Sequence, residues 1–265
     1  MRPGILIHHA AGFALELLSR SFVGRIIAQA YFDRRDKSSS ICFVAATRLR
    51  EEDFWQKSLL GKRLKELRNQ PRIKIRIAFE NRRGLSSVYN EAIAAADSSD
   101  VLVFIHDDAW LINNDSLNEI FRGLRKFDVL GIAGNTRRIA GQSTWYLRQL
   151  PQGGVALDVP FLSGAVYYGQ IFKTELNQFG PWPAACELLD GVLLAARASK
   201  LRRTGLRFDE RYDFHFYDLD FSRAARTLRM KIGTWPIHLL HGSKGNPGDE
   251  RWKKNLQLYM EKWRS

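Results

Sequence analysis

Five residues with no polar side chain, Val101-Leu102-Val103-Phe104-Ile105, run directly into His106-Asp107-Asp108. A continuous β-branched and apolar run of this length reads as a central strand of a parallel sheet, covered on both faces. It sits inside a regular alternation. Apolar runs at 41–46, 72–79, 101–105 and 129–133 are separated by helix-forming segments at 51–69, 86–97 and 115–127. Strand and helix alternating over residues 41–134 predict a layered α/β sheet. The 72–79 run puts Ile73, Ile75 and Ile77 on one face and Arg72, Lys74 and Arg76 on the other. That pattern predicts one buried and one solvated basic face.

The second half is less regular. Residues 134–157 read as a long loop carrying Trp145 and Tyr146. Strand-like runs follow at 166–172, 188–195 and 232–240, with a helix from about 217 to 230. A basic, aromatic helix over 250–263 ends the chain. No linker divides residues 41–265, which read as one domain. Residues 1–40 read as a helical extension, with Leu15, Leu18, Phe22 and Ile26 at helical spacing. Glu16, Arg20 and Arg25 interrupt it, so it is no membrane span. Such an amphipathic helix packs on the domain, on a second copy of the chain, or on a membrane surface.

Composition enters at two points. Two cysteines, Cys42 and Cys186, make neither a disulfide scaffold nor a four-thiolate zinc site, and point to a reducing compartment. The net charge of +13 leaves nucleic acid, an anionic membrane and phosphate-rich small molecules open as partners.

Three clusters carry chemistry. Paired acids at a strand end, as in His106-Asp107-Asp108, need compensation, which a divalent cation or the cap of the next helix provides. Asp209, Glu210, Asp213, Asp218 and Asp220 form the second cluster. Asp218 and Asp220 are two apart on a helix, so they face different ways: one enters a cleft while the other caps, or both cap. The third is His238 and His241, ahead of Gly242-Ser243-Lys244-Gly245. A histidine there is a ligand to metal or phosphate, or a structural residue.

In chain order, strand–Thr47, Glu80-Asn81, the Asn90 helix, His106-Asp107-Asp108, Asp190-Gly191, Tyr217-Asp218 and His241-Gly242 resemble the family 2 glycosyltransferases. The nearest likeness is to their bacterial branch with an HDD-type metal motif, over residues 41–245. The resemblance implies a GT-A-like, Rossmann-like fold: a mostly parallel sheet flanked by helices. It implies that Asp108 and His241 hold Mn2+ or Mg2+, and that Asp218 is the catalytic base. Thr47, Glu80, Asn81, Asn90, His106, Asp107 and Asp190 would line the nucleotide and donor site. Two positions depart from the pattern: His106 replaces the first acid of the metal motif, and Tyr217 replaces the glutamate before the base.

The activity so implied is metal-dependent, inverting transfer from a nucleotide-sugar, UDP-sugars favoured. The acceptor would be a glycan, a lipid-linked sugar or a protein, in polysaccharide or glycoconjugate synthesis. The site of action would be the cytoplasm, at the inner membrane face for a lipid-linked acceptor. Two other readings compete: a non-catalytic nucleotide-sugar or glycan-binding module, and a nucleic-acid binder using Trp252, Lys253, Lys254, Tyr259, Lys262 and Trp263. No nucleic-acid motif supports the last.

Overall fold

A computed structural model of the chain describes Asp36 and residues 38–171, 173–243 and 248–264. The chain divides into two compact units, Met1–Ser39 and Ser40–Ser265. The helix expected around Leu15, Leu18, Phe22 and Ile26 lies outside the described residues. The second unit carries the sheets.

Its first half runs β1 (Ile41–Ala46), α1 (Glu51–Lys57), α2 (Leu59–Leu67), β2 (Ile73–Ala78), α3 (Leu85–Ala95), β3 (Val101–Ile105), β4 (Ala109–Leu111), α4 (Ser116–Lys126), β5 (Val129–Gly131) and β6 (Ala133–Asn135). A hairpin comes next, β7 (Leu147–Gln149) with β8 (Val155–Leu157), then β9 (Leu162–Gln170) and β10 (Lys173–Gly180). The chain closes with β11 (Ala184–Ala185), β12 (Leu188–Leu189), β13 (Leu193–Arg197), α5 (Ala198–Thr204), α6 (Tyr217–Thr227), β14 (Ile232–Thr234), β15 (Leu239–His241) and α7 (Glu250–Lys262).

The main sheet has the order β11-β14-β5-β13-β3-β1-β2. Strands β2, β1 and β3 are parallel, β13 lies antiparallel between β3 and β5, β14 is parallel to β5, and β11 is antiparallel to β14. Five of the seven strands therefore run one way, giving the expected mostly parallel sheet with helices around it. All five residues of β3 are buried, as its unbroken apolar run requires. A second sheet, β12-β6-β9-β15-β4 with β10 on β9, packs beside it.

Several expected elements differ. The helix expected over 51–69 is two helices. Ser58 is extended, and its hydroxyl caps α2 by accepting from Gly61 N at 2.8 Å. On β2, Lys74 is not simply solvated: its ammonium reaches Asp97 at 2.6 Å and Asp100 at 2.8 Å. The apolar runs 129–133, 188–195 and 232–240 each divide between the two sheets. The chain crosses at Ile132, at Asp190-Gly191-Val192 and at residues 235–238. Just past the first crossing, β6 and β12 pair so closely within the second sheet that a Cβ on Gly134 would lie 2.3 Å from the Leu188 carbonyl. The expected loop 134–157 holds the end of β6 and the β7–β8 hairpin. Strands β4 and β10 and helix α5 have no counterpart in the sequence pattern.

Helix α7 turns its aromatic side inward. Trp252 and Tyr259 pack on Phe216, and the Arg223 guanidinium lies 4.4 Å from the centre of the Trp263 ring. Asp220, almost fully buried, accepts from Lys262 Nζ at 2.9 Å and Trp263 Nε1 at 2.7 Å. No helix among the described residues is long and apolar enough to cross a membrane.

Candidate active site

Strand β3 delivers His106 and the adjoining Asp107-Asp108, and the end of β15, held against β4, delivers His241. His106 Nδ1 lies 3.4 Å from His241 Nε2, and that nitrogen lies 3.2 Å from Asp108 Oδ1. One ligand atom from each of the three falls within 4.8 Å of the others. Burial alone would raise the Asp108 carboxyl, but the hydrogen bond and charge of His241, with help from His106 and Ser243, hold it well below the usual carboxylate range. Burial opposes charge on His241, and the Asp108 carboxylate outweighs it, so its pKa rises. Burial pushes His106 down, and His241 adds to the effect. Asp107 points toward Thr47; burial and the Asp108 charge push its carboxyl up, against a hydrogen bond from the Thr47 side chain.

Tyr217, first residue of α6, closes this cluster from another side. Its hydroxyl lies 2.9 Å from His106 Nε2 and donates to the Gly191 carbonyl at 2.9 Å. Gly191 N donates in turn to Asp218 Oδ2 at 2.9 Å, and Leu219 N to Asp218 Oδ1 at 2.9 Å. The fit leaves no room at position 191: a Cβ would sit 2.3 Å from the Tyr217 hydroxyl and 2.9 Å from Asp218 Cβ. Burial, and then the nearby Asp190 charge, push the Asp218 pKa up to about 7. Asp190 is fixed by Trp145 Nε1 at 2.6 Å and Val192 N at 2.8 Å. His106, Asp190, Asp218 and His241 line one cleft of about 580 Å³, walled by Trp145, Tyr146, Tyr168, Phe179, Phe214 and Trp252. A smaller cavity of about 130 Å³ adjoins it, between Ala46, Tyr89, Asp107 and Asp108.

A family model described as a glycosyltransferase-like family matches residues 56–250, more than half of the chain. The chain belongs to the glycosyltransferase-like family. No curated protein matches it significantly. Among solved structures, TarS residues 1–349 from S. aureus is 13% identical with a TM-score of 0.42, over 77% of this chain and 60% of that one. GalNAc-T7 with UDP, GalNAc and Mn2+ is 13% identical with a TM-score of 0.48, over 85% and 49%. The mannosyltransferase PcManGT from Pyrobaculum calidifontis, with GDP-Man and Mn2+, is 13% identical with a TM-score of 0.41, over 89% and 67%. The chain thus spans less than two thirds of the first two.

The glycosyltransferase-like domain brings six of the sequence-marked residues together: His106, Asp107, Asp108, Asp190, Asp218 and His241. Thr47, Glu80 and Asn81 cluster at the neighbouring ends of β1 and β2. Asn81 N donates to the Thr47 carbonyl at 2.8 Å, and Glu80 has a left-handed backbone with φ 48°. Asn90 is elsewhere. Its amide donates to the Phe208 carbonyl and Glu210 at 2.9 Å each and accepts from Phe208 N at 3.0 Å, so α3 is fastened to the 208–210 segment. Like Thr47, Glu80 and Asn81, it lines neither the cleft nor the cavity. The second acidic cluster disperses. Asp218 enters the cleft, Asp220 binds α7, Asp209 pairs with Arg211 and Lys262, and Asp213 pairs with Arg251. His238 meets the Tyr167 hydroxyl at 3.2 Å, away from the metal-like cluster. Sequence reasoning missed Trp145 as the partner of Asp190 and the Tyr217 hydroxyl as the partner of His106. Tyr217 adjoins Asp218 in the sequence, which was an available signal; Trp145 lies 45 residues from Asp190 and offered none.

Proposed function

We propose that the chain is a divalent-metal-dependent glycosyltransferase. A nucleotide-sugar would be its donor, and Asp218 would deprotonate an acceptor hydroxyl. The observation that carries this reading is one cleft lined both by the His106–His241 side of a three-ligand cluster and by a carboxylate with a pKa of about 7.

The three side chains fit a cation. Adjacent ligands around an ion with bonds of about 2.1 Å lie about 3 Å apart, close to the 3.2 and 3.4 Å separations here. His106 Nδ1, Asp108 and His241 Nε2 would hold Mn2+ or Mg2+, which when bound neutralises charge on a diphosphate leaving group. The proton that His241 shares with Asp108 would give way to it.

Thr47, Glu80, Asn81 and Asp107 would bind the nucleoside around the smaller cavity, with UDP the first candidate. The acceptor would occupy the aromatic-walled cleft, where sugar faces stack on rings. Leu157 and Val159, each 57% exposed, border its mouth, as suits a lipid-linked acceptor. The acceptor O–H proton passes to Asp218 while the acceptor oxygen bonds to the anomeric carbon. The bond from that carbon to the diphosphate breaks, and its electron pair leaves with the nucleotide. Displacement from the opposite face inverts the centre. A base titrating near neutral pH is well matched to this step.

Calorimetry with UDP, GDP, CMP and dTDP, each with Mn2+, Mg2+ or EDTA, tests the reading. One nucleotide should bind only with metal, and Asp108→Ala should abolish that binding. Asp218→Asn should bind the donor as before and transfer no sugar. If no nucleotide binds under any metal condition, the reading is wrong.

A further inference from the structure

The two positions that depart from the family pattern, His106 and Tyr217, are 111 residues apart in sequence and in direct contact, 2.9 Å between His106 Nε2 and the Tyr217 hydroxyl. We infer that Tyr217 is a positioning residue whose hydroxyl locks His106 in the Nε2–H tautomer. The Nδ1 lone pair is thereby turned toward His241 and Asp108, giving a two-imidazole, one-carboxylate site that selects a transition-metal ion over Mg2+. This rests on the proposed cation site, not on sugar transfer.

Counting protons gives the tautomer. Tyr217 has one hydroxyl proton; the Gly191 carbonyl and His106 Nε2 each lie 2.9 Å from its oxygen, and the Tyr89 hydroxyl, which can donate, faces it as well. A phenol keeps its proton at neutral pH. The carbonyl has no proton to offer and must accept. Both contacts become hydrogen bonds only if Nε2 carries a proton and donates to the phenol oxygen. A neutral imidazole with Nε2–H has its lone pair on Nδ1, the atom 3.4 Å from His241 Nε2. This is the outer partner that orients most metal-binding histidines.

The donor set is then fixed. Mg2+ prefers oxygen ligands and water, whereas imidazole suits Zn2+, Fe2+ and their neighbours. Two imidazoles and one carboxylate tilt the site away from Mg2+. The same clamp reaches the proposed base, because Gly191, whose carbonyl accepts from Tyr217, donates its N–H to Asp218. The absence of space for a Cβ at Gly191 keeps that path short.

The test uses the full chain and metal alone, without nucleotide. Mn2+ binding is followed by electron paramagnetic resonance, with Mg2+ as competitor. Wild type should need about a hundredfold or greater excess of Mg2+ to lose half its Mn2+, because two of the three ligands are imidazoles. Tyr217→Phe should bind Mn2+ about 10–100-fold more weakly, the usual effect of losing such an outer partner. His106→Asp should still bind metal, with its preference moved about tenfold or more toward Mg2+. Ring 15N and 13C shifts of His106 in the wild-type protein report the tautomer without any substitution. Unchanged Mn2+ affinity in Tyr217→Phe, an Nδ1–H tautomer, or Mg2+ competing on equal terms would each overturn the inference. Failure of every nucleotide to bind, with these metal results intact, would refute sugar transfer and leave the clamp standing.

Discussion

Replacing Asp190 with asparagine removes one negative charge beside Asp218 and nearly preserves the side chain's size. Asp218 owes its pKa of about 7 first to burial and then to Asp190. A unit charge about 4–10 Å away at an effective dielectric of about 20 is worth about 2–4 kcal/mol. Discounting for solvent in an open cleft leaves about 1.4 kcal/mol, one pH unit. The Asp218 pKa should therefore fall from about 7 to about 6 in Asp190→Asn. The sign is fixed by the role: a general base works ionised, so kcat/KM rises with pH up to the pKa and is flat above it. At pH 6 the ionised fraction is about 9% for a pKa of 7 and about 50% for a pKa of 6. Relative to its own plateau, the variant should be about fivefold more active than wild type at pH 6. The plateau itself should drop, because asparagine cannot accept from both Trp145 Nε1 and Val192 N. The assay is nucleoside diphosphate release at saturating metal from pH 5 to 9. An acidic limb that stays at its wild-type position in Asp190→Asn would refute the electrostatic coupling of the two carboxylates. A limb that survives in Asp218→Asn would refute the base assignment.

Three further outcomes rest on the packing. Asn90→Ala should lower stability by about 1–3 kcal/mol through its lost bonds to Phe208 and Glu210, and leave nucleotide affinity unchanged; a large affinity loss at unchanged stability would return Asn90 to the donor site. Glu80→Gly should raise the urea midpoint by about 1 kcal/mol of stability, since glycine relieves the left-handed backbone, while weakening nucleotide binding seen by calorimetry; unaltered binding would remove Glu80 from the nucleoside site. Asp220→Ala should destabilise the domain by about 2–3 kcal/mol, because Lys262 and the Trp263 indole lose a buried partner; an unmoved melting temperature would contradict the docking of α7 through that carboxylate.

The parts legible in the sequence were those encoded locally. An apolar run ending in two acids marked both β3 and the residues after it. The two-residue spacing of Asp218 and Asp220 required them to face apart, and they do. Which one enters the cleft was not legible, because the buried role of Asp220 comes from Lys262 and Trp263, 42 and 43 residues away. Apolar runs also say nothing about which of two sheets receives each half, so 129–133, 188–195 and 232–240 read as single strands. Asn90 sits in the right order for a donor contact, and the order does not reveal that its amide also fastens α3 to a segment 118 residues on. Contacts made by folding across such separations leave no periodicity to read.

The three crossings between the sheets bear on how such a chain can be altered. Asp190 and Gly191 lie on one crossing, and the His106 and His241 strand ends belong to the two sheets that the crossings stitch together. The β7–β8 hairpin belongs to neither sheet, yet Leu157 faces the cleft mouth. The molecule therefore separates a stitched chassis, which holds the proposed reacting groups, from an interchangeable visor over the proposed acceptor side. Grafting a hairpin of different length or composition between Tyr146 and Asp158, whose backbones already pair at 2.9 Å, would retune what enters the cleft while the machinery beneath keeps its geometry.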